Sequence, residues 1–226
     1  MRRIFLLLLL SVLLLPPAAA AQTEEELLDF EGCDYEFIDV NPNEFGDVGD
    51  QYNMFGFVQS VNPTYITADF VANEYTIEFY SLESTGFVDQ FGLRFINYTN
   101  SGMVQVFEDA GLSAASHGIN PPNATVPSTF VDGVLLLGGN VEGFGLTLDL
   151  VKGTGTFTGD VNFTTGTQVG NIPPNTDRVY TFAGLTSGPL TQKPEGYIHQ
   201  VAGSIKIELP VPAEKSSWGR MKALYR

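Results

Sequence analysis

The sequence predicts an all-β domain, and three observations carry that expectation. Apolar and polar residues alternate in Tyr75-Thr76-Ile77-Glu78-Phe79-Tyr80, Leu146-Thr147-Leu148-Asp149-Leu150 and Ile205-Lys206-Ile207-Glu208-Leu209, the period of two that sets one face of a strand in a core and the other in water. Turn formers punctuate the chain at short intervals, as in Asn62-Pro63, Asn100-Ser101-Gly102, Gly138-Gly139-Asn140 and Thr165-Gly166. Between residues 22 and 209 no window spaces its apolar side chains as a helix would.

Taken in order, the chain opens on Arg2-Arg3, an apolar run from Ile4 to Leu15 and an exit of Pro16-Pro17-Ala18-Ala19-Ala20-Ala21. A basic start, a short apolar core and an Ala-x-Ala exit make a signal peptide over residues 1–21, too short for a permanent membrane span. The expected location is therefore secreted, periplasmic or cell-surface. Residues 22–209 follow as one domain. Its expected strands are Tyr35–Val40, Met54–Val61, Tyr65–Val71, Tyr75–Tyr80, Phe91–Tyr98, Met103–Glu108, Thr129–Leu137, Leu146–Leu150, Gly155–Phe163, Val179–Phe182 and Ile205–Leu209. So many short strands at close spacing point first to an antiparallel β-sandwich of the jelly-roll or lectin-like kind, and second to a closed β-barrel. Pro121-Pro122-Asn123 before Thr129-Phe130 and Pro173-Pro174-Asn175 before Thr181-Phe182 share one spacing; each proline pair suits an extended crossing between strands, and a duplicated half-domain or coincidence accounts for the echo.

Charge is uneven. Residues 22–209 carry 25 acidic against five basic residues, a net of −20, whereas residues 210–226 carry a net of +3. An acidic body excludes nucleic acid as a partner, because phosphate binding needs a basic surface that releases counterions. The ordinary reading of the acidity is solubility after export; divalent cations are the competing one. Cys33 is the only cysteine, so no intrachain disulfide forms, and a small buried hydrophobe is its ordinary role.

One stretch has the chemistry of a metal loop. Asp39, Asn41, Asn43, Glu44, Asp47 and Asp50, with Gly46 and Gly49 among them, supply hard oxygen ligands of the kind Ca²⁺ takes, although their spacing is not that of an EF-hand. Asp39, Asn41, Asn43, Asp47 and Asp50 are the candidate ligands, against the ordinary reading of a solvated acidic loop. Ca²⁺ is the one cofactor the sequence suggests.

Catalytic patterns are sparse. His117 and His199 belong to no zinc motif, no Gly-x-Ser-x-Gly elbow occurs, and Cys33 has no histidine at a familiar spacing. Glu108-Asp109 and Glu74 with Glu78 are the carboxylate pairs open to a polysaccharide-active glycoside hydrolase, the alternative function. Tyr52, Phe55, Phe57, Tyr65, Phe87 and Phe91 crowd the first half of the domain. Mostly core, any left exposed would stack on sugar rings. Sequons stand at Asn97, Asn123 and Asn162, which matter only in a cell that glycosylates them.

After Pro210-Val211-Pro212, the stretch from Ala213 to Arg226 changes character. A short helix capped by Ser217 would align Trp218, Met221, Leu224 and Tyr225 on one stripe. Such a helix is marginal alone and needs a surface: either its own acidic domain, or a partner that reads Trp218, Arg220, Met221, Lys222, Leu224 and Tyr225 as a docking or sorting address.

Ser217-Trp218-Gly219-Arg220-Met221-Lys222-Ala223-Leu224-Tyr225-Arg226 resembles a Trp-Gly-x-Ile/Val-Lys-x-Leu-Tyr-Arg ending of exported, β-rich bacterial proteins, with Met221 in the β-branched place. The stretch from Glu108 to Gly133 is similar to a segment of the same proteins. Val211-Pro212 resembles the lead of a Pro-Glu-Pro sorting signal, from which Ala213 departs. The resemblance implies a bacterial, exported protein and no particular chemistry. A binding or structural domain at the cell surface, envelope or matrix is the resulting expectation, with polysaccharide or another envelope protein as partner, no nucleic acid, and no span once the leader is removed.

Overall fold

Strand pairing closes on itself. In the computed structural model, which describes residues 24–41, 44–110, 127–174, 176, 179–188 and 196–208, the strands are β1 (Glu24–Ile38), β2 (Gln51–Val61), β3 (Glu74–Gln90), β4 (Leu93–Tyr98), β5 (Met103–Asp109), β6 (Val134–Asp149), β7 (Thr154–Thr165), β8 (Val179–Ser187) and β9 (His199–Glu208). Each pairs antiparallel with the next in space, in the order β2-β1-β9-β8-β7-β6-β4-β3-β5. The circle is completed where β2 meets β3 and where β9 returns to β1, in register from Glu24↔Glu208 to Asp34↔His199. Strands β4 and β5 lie end to end between β3 and β6, so they fill one position in the wall. The all-β class therefore holds, and of the two expected architectures the chain adopts the closed one, an eight-position up-and-down barrel that leaves no sheet edge to cap.

The lumen is packed. Phe30 on β1, Phe79 on β3, Phe144 on β6, Phe157 on β7 and Phe182 on β8 meet across it, with ring centroids 5.1 Å apart for Phe79–Phe182, 5.4 Å for Phe30–Phe79 and 5.7 Å for Phe144–Phe182. Small residues make room for the rings. A Cβ at Gly184 would lie 2.2 Å from the Phe157 ring, and one at Gly159 would lie 2.5 Å from Phe182. Thr156, Thr158 and Asp160 point outward between these inward positions and are exposed. An apolar lumen behind a polar outer face is the reverse of a membrane-spanning barrel, whose outward band is apolar.

A smaller apolar cluster sits outside the wall. Cys33 and Tyr35 on β1 and Phe55 on β2 are covered by Phe130 from a helical turn, α1 (Pro127–Phe130), and by Tyr197. The Thr76 hydroxyl donates to the Phe130 carbonyl (2.7 Å) and pins the turn. Cys33 thus takes its expected place as a buried hydrophobe.

Strands β1, β3, β8 and β9 run well beyond their expected spans, and elsewhere the expected strands are replaced or merged. Tyr65–Val71 turns instead of extending, because the Asp69 carboxylate accepts the Val71 and Ala72 N–H groups. Thr129–Phe130 belongs to α1. Val134–Leu137 of that segment joins Leu146–Asp149 in one long β6, running through the Gly138-Gly139 pair expected to turn. The expected signal peptide, the expected C-terminal helix with the residues proposed for docking, His117, Asn123 and Asn175 lie outside the described residues.

Candidate functional site

Alternate connections of an up-and-down barrel share one end. The β1–β2 loop, the Phe91-Gly92 turn, the β6–β7 turn and the ends of β8 and β9 that face each other at Ser187 and Gln200 stand together there, and residues 44–50 of the β1–β2 loop fold back over the mouth. Glycine at position 46 makes this possible: its φ is +90°, and a Cβ would lie 2.6 Å from Ile96 Cδ1. The Gly46 N–H donates to Glu36 Oε1 (2.9 Å) and to Asp50 Oδ2 (3.2 Å). Asp50 Oδ1 accepts from the Val40 N–H (2.9 Å), and the Ser84 hydroxyl donates to the Gly46 carbonyl (2.7 Å). Arg94 Nη1 holds the Phe45 carbonyl (2.9 Å), and the Phe45 ring meets His199 and Tyr52 edge-on, at 5.4 and 5.9 Å.

Beneath Phe45 lies a sealed polar network. Asp34 is wholly buried. It accepts the His199 backbone N–H (2.7 Å) and a short hydrogen bond from the Tyr52 hydroxyl, and its carboxylate lies 3.0 Å from His199 Nδ1. Burial, then the neighbouring Asp34 charge, pushes the Tyr52 phenol well above its usual range. Such a network fixes His199 and Tyr52 in one geometry, and a half-satisfied version would be costly.

The third layer is acidic. Glu36, Asp39 and Asp50 each offer a carboxylate oxygen, and these oxygens all lie within 4.8 Å of one another. Burial, with the charges of Asp50 and Asp39 behind it, pushes the Glu36 carboxyl up to about 8 against the lowering pull of the Gly46 N–H. Of the expected metal ligands the structure thus brings together Asp39 and Asp50, and adds Glu36. Asp47 belongs to the same loop but not to the carboxylate cluster, the Asn41 carbonyl accepts the Glu44 N–H (3.1 Å), and Asn43 lies outside the described residues. Asp47 Oδ2 and the Tyr98 hydroxyl are buried with no hydrogen-bond partner among the described residues.

The expected glycosidase pairs do not converge. Glu108 and Asp109 are consecutive on β5, so the pleat sends them to opposite faces, and Glu108 accepts from Asn73 (2.6 Å) and Tyr75 (2.7 Å). Glu74 and Glu78 share a face of β3 at a separation of about 13 Å along the strand. Glu36 and Asp50 do meet, yet Asp50 is 1% exposed, and no sugar ring fits between groups in direct contact.

Around this capped mouth the surface is apolar. Of thirteen exposed large hydrophobic residues among those described, ten stand at this end, on or beside these loops, turns and strand ends. Val40 and Val48 flank the acidic cluster, and Phe91 (95% exposed) and Val151 (88% exposed) crown two turns. A groove of about 470 Å³ runs down the wall beside them, lined by Leu93, Thr147, Thr156 and Leu185. Phe91 is the informative residue. Register between Gln90 and Leu93 leaves a two-residue turn in which Phe91 has φ 55° and Gly92 has φ 81°, the geometry that Asn-Gly fills without strain. A bulky residue there is held in a disfavoured conformation and presents its ring to solvent. Among the rings expected to offer a sugar platform, Tyr52 and Phe55 are buried, and Phe87 lies under the Arg94 guanidinium at 3.6 Å.

Compared with known protein families, with curated proteins and with solved structures, the chain matches none.

Proposed function

We propose that this is an exported envelope or surface protein that binds a partner through the loop end of its barrel, and that the partner is another envelope protein with an apolar face flanked by basic side chains. The observation that carries the reading is Phe91, kept in a strained turn position where its ring is 95% exposed. Apolar surface collected at one end and rimmed by polar groups is what protein interfaces use. The rim is mainly aliphatic, which suits a protein surface better than a pyranose. Asp39, Glu44, Asp47 and Asp89 among the apolar residues favour a basic partner and repel a second copy of the same acidic domain. The lumen offers no rival site, since aromatic rings fill it.

The test is retention of envelope proteins from the native host on immobilised wild type and on a Phe91→Asn, Val151→Ser variant, with each retained protein purified and its affinity measured at two salt concentrations. A panel of insoluble polysaccharides is run in parallel. The expected result is one protein bound directly, at least tenfold more weakly by the variant, and weakened by salt. Equal binding by the variant contradicts the reading, and so does retention on a polysaccharide that the variant abolishes, which would make the rim a glycan site.

A further inference from the structure

We infer that the loop end also holds a calcium ion, bound by Glu36, Asp39 and Asp50 where the β1–β2 loop leaves and re-enters the barrel wall. Size and chemistry agree. The three ligand oxygens lie within 4.8 Å of one another, which is the span across a cation whose oxygen ligands stand about 2.4 Å away. An all-carboxylate set is a hard-cation set, without the nitrogen or sulfur that zinc prefers. Backbone N–H groups already orient two of the three: Gly46 on Glu36 and Asp50, and Val40 on Asp50.

A second observation is independent of the acids. The Tyr98 side chain is 6% exposed, packed between Tyr52 and Phe144, and its hydroxyl has no partner among the described residues. Of the charges that act on that hydroxyl Glu36 is the strongest, ahead of Asp34 and Asp50, which sets it close to the acidic layer and to the Asp34 network alike. A buried hydroxyl so placed is satisfied by a water held by the metal, whose O–H donates to the phenol oxygen while its own lone pair helps complete a coordination shell that three carboxylates leave open. Nor does a basic side chain among the described residues neutralise the cluster: Arg94 is engaged by Asp89 in a two-point ion pair, with Nε–Oδ1 and Nη2–Oδ2 both 2.8 Å. The site therefore differs from the acidic loop as the sequence alone suggests it. Its principal addition is Glu36 from the end of β1, while Asp47 stays in the loop without joining the carboxylate cluster.

This site does not depend on the partner proposed above, and its test needs only the full chain and the metal. Thermal unfolding and titration calorimetry are run in EDTA and in about millimolar CaCl₂, the range of extracellular calcium modules. Calcium is expected to raise Tm by about 3–5 °C, with one site in calorimetry. Glu36→Gln and Asp39→Asn are each expected to abolish both signals. Asp39 is exposed and takes no part in the loop's backbone hydrogen bonds, so Asp39→Asn keeps its fold by circular dichroism and remains decisive should Asp50 variants fail to fold. No shift and no heat with wild type overturns the inference. An unchanged response in both variants also overturns it, by moving the metal elsewhere on the acidic surface.

Discussion

The middle of this barrel and its loop end are made of opposite materials. In the middle, aromatic rings from five strands fill the lumen, glycines give way to them, and the outward positions are polar. At the loop end the interior is polar, with Asp34, His199 and Tyr52 bonded together under Phe45, while the outside is apolar. The inversion teaches where each property is stored: packing in the wall and the bonded interior of the end keep the protein folded, and the exposed rim of the end carries groups that folding does not require and in one turn even resists.

Substitutions that break this contrast should fall in a definite order. Phe79→Ala removes a fully buried ring that touches Phe30 and Phe182 and is expected to cost about 3–5 kcal/mol in urea unfolding. Asp34→Ala strands the buried Tyr52 hydroxyl and His199, at an expected cost of about 2–3 kcal/mol. A cost below 1 kcal/mol for either would mean that the region is not packed as described.

Glu36 sharpens the contrast through pH. Its carboxyl is raised from 4.5 to about 8 in the folded protein, so the folded state holds that proton more tightly than the unfolded state. The stabilisation is complete below about 4.5 and is lost as pH climbs through about 8. Gly46 N–H, Asp50 and Asp39 face this carboxyl, and the Tyr98 phenol, itself pushed up by burial, stays protonated throughout. In EDTA, wild type should therefore lose Tm between about pH 5 and pH 8, and Glu36→Gln, which keeps a neutral group in place, should lose less, by about 3 °C at the upper end. Parallel curves would contradict this. The smallest effect is at the rim: Phe91→Asn relieves the turn and should leave stability unchanged or raise it by about 0.5 kcal/mol, whereas a loss above 1 kcal/mol would make Phe91 a structural residue.

How much of this was legible in the sequence follows from what each feature depends on. Alternation is local, so β2, β5, β7 and the last stretch of β9, Ile205–Glu208, could be read from residue type alone. Closure is not local, because a sandwich and a barrel share the same alternation and differ in whether β9 returns to β1. The first half of β1 escaped notice, since Leu27 and Leu28 are adjacent and both buried beside a register shift, which breaks the period. Gly138-Gly139 looks like a turn, yet a Cβ at Gly139 would sit 2.1 Å from the Asn162 carbonyl oxygen, so glycine there serves close strand approach. At the site, Asp39 and Asp50 were visible as an acidic loop, whereas Glu36 was hidden as an ordinary outward position of a strand. The Asp34–His199 contact spans 165 residues and leaves no trace in spacing.

The most direct test of the loop end as the working face compares photo-crosslinking side chains placed at Phe91 and Val151 with others at Val71 and Val134 on the opposite end, in the native host. All four positions are exposed, Val71 and Phe91 almost equally, at 93% and 95%, so exposure does not decide the outcome. The account expects one discrete adduct, the same protein from both loop-end positions and absent from the other two. Adducts from Val71 and Val134 instead, or from all four alike, would contradict it.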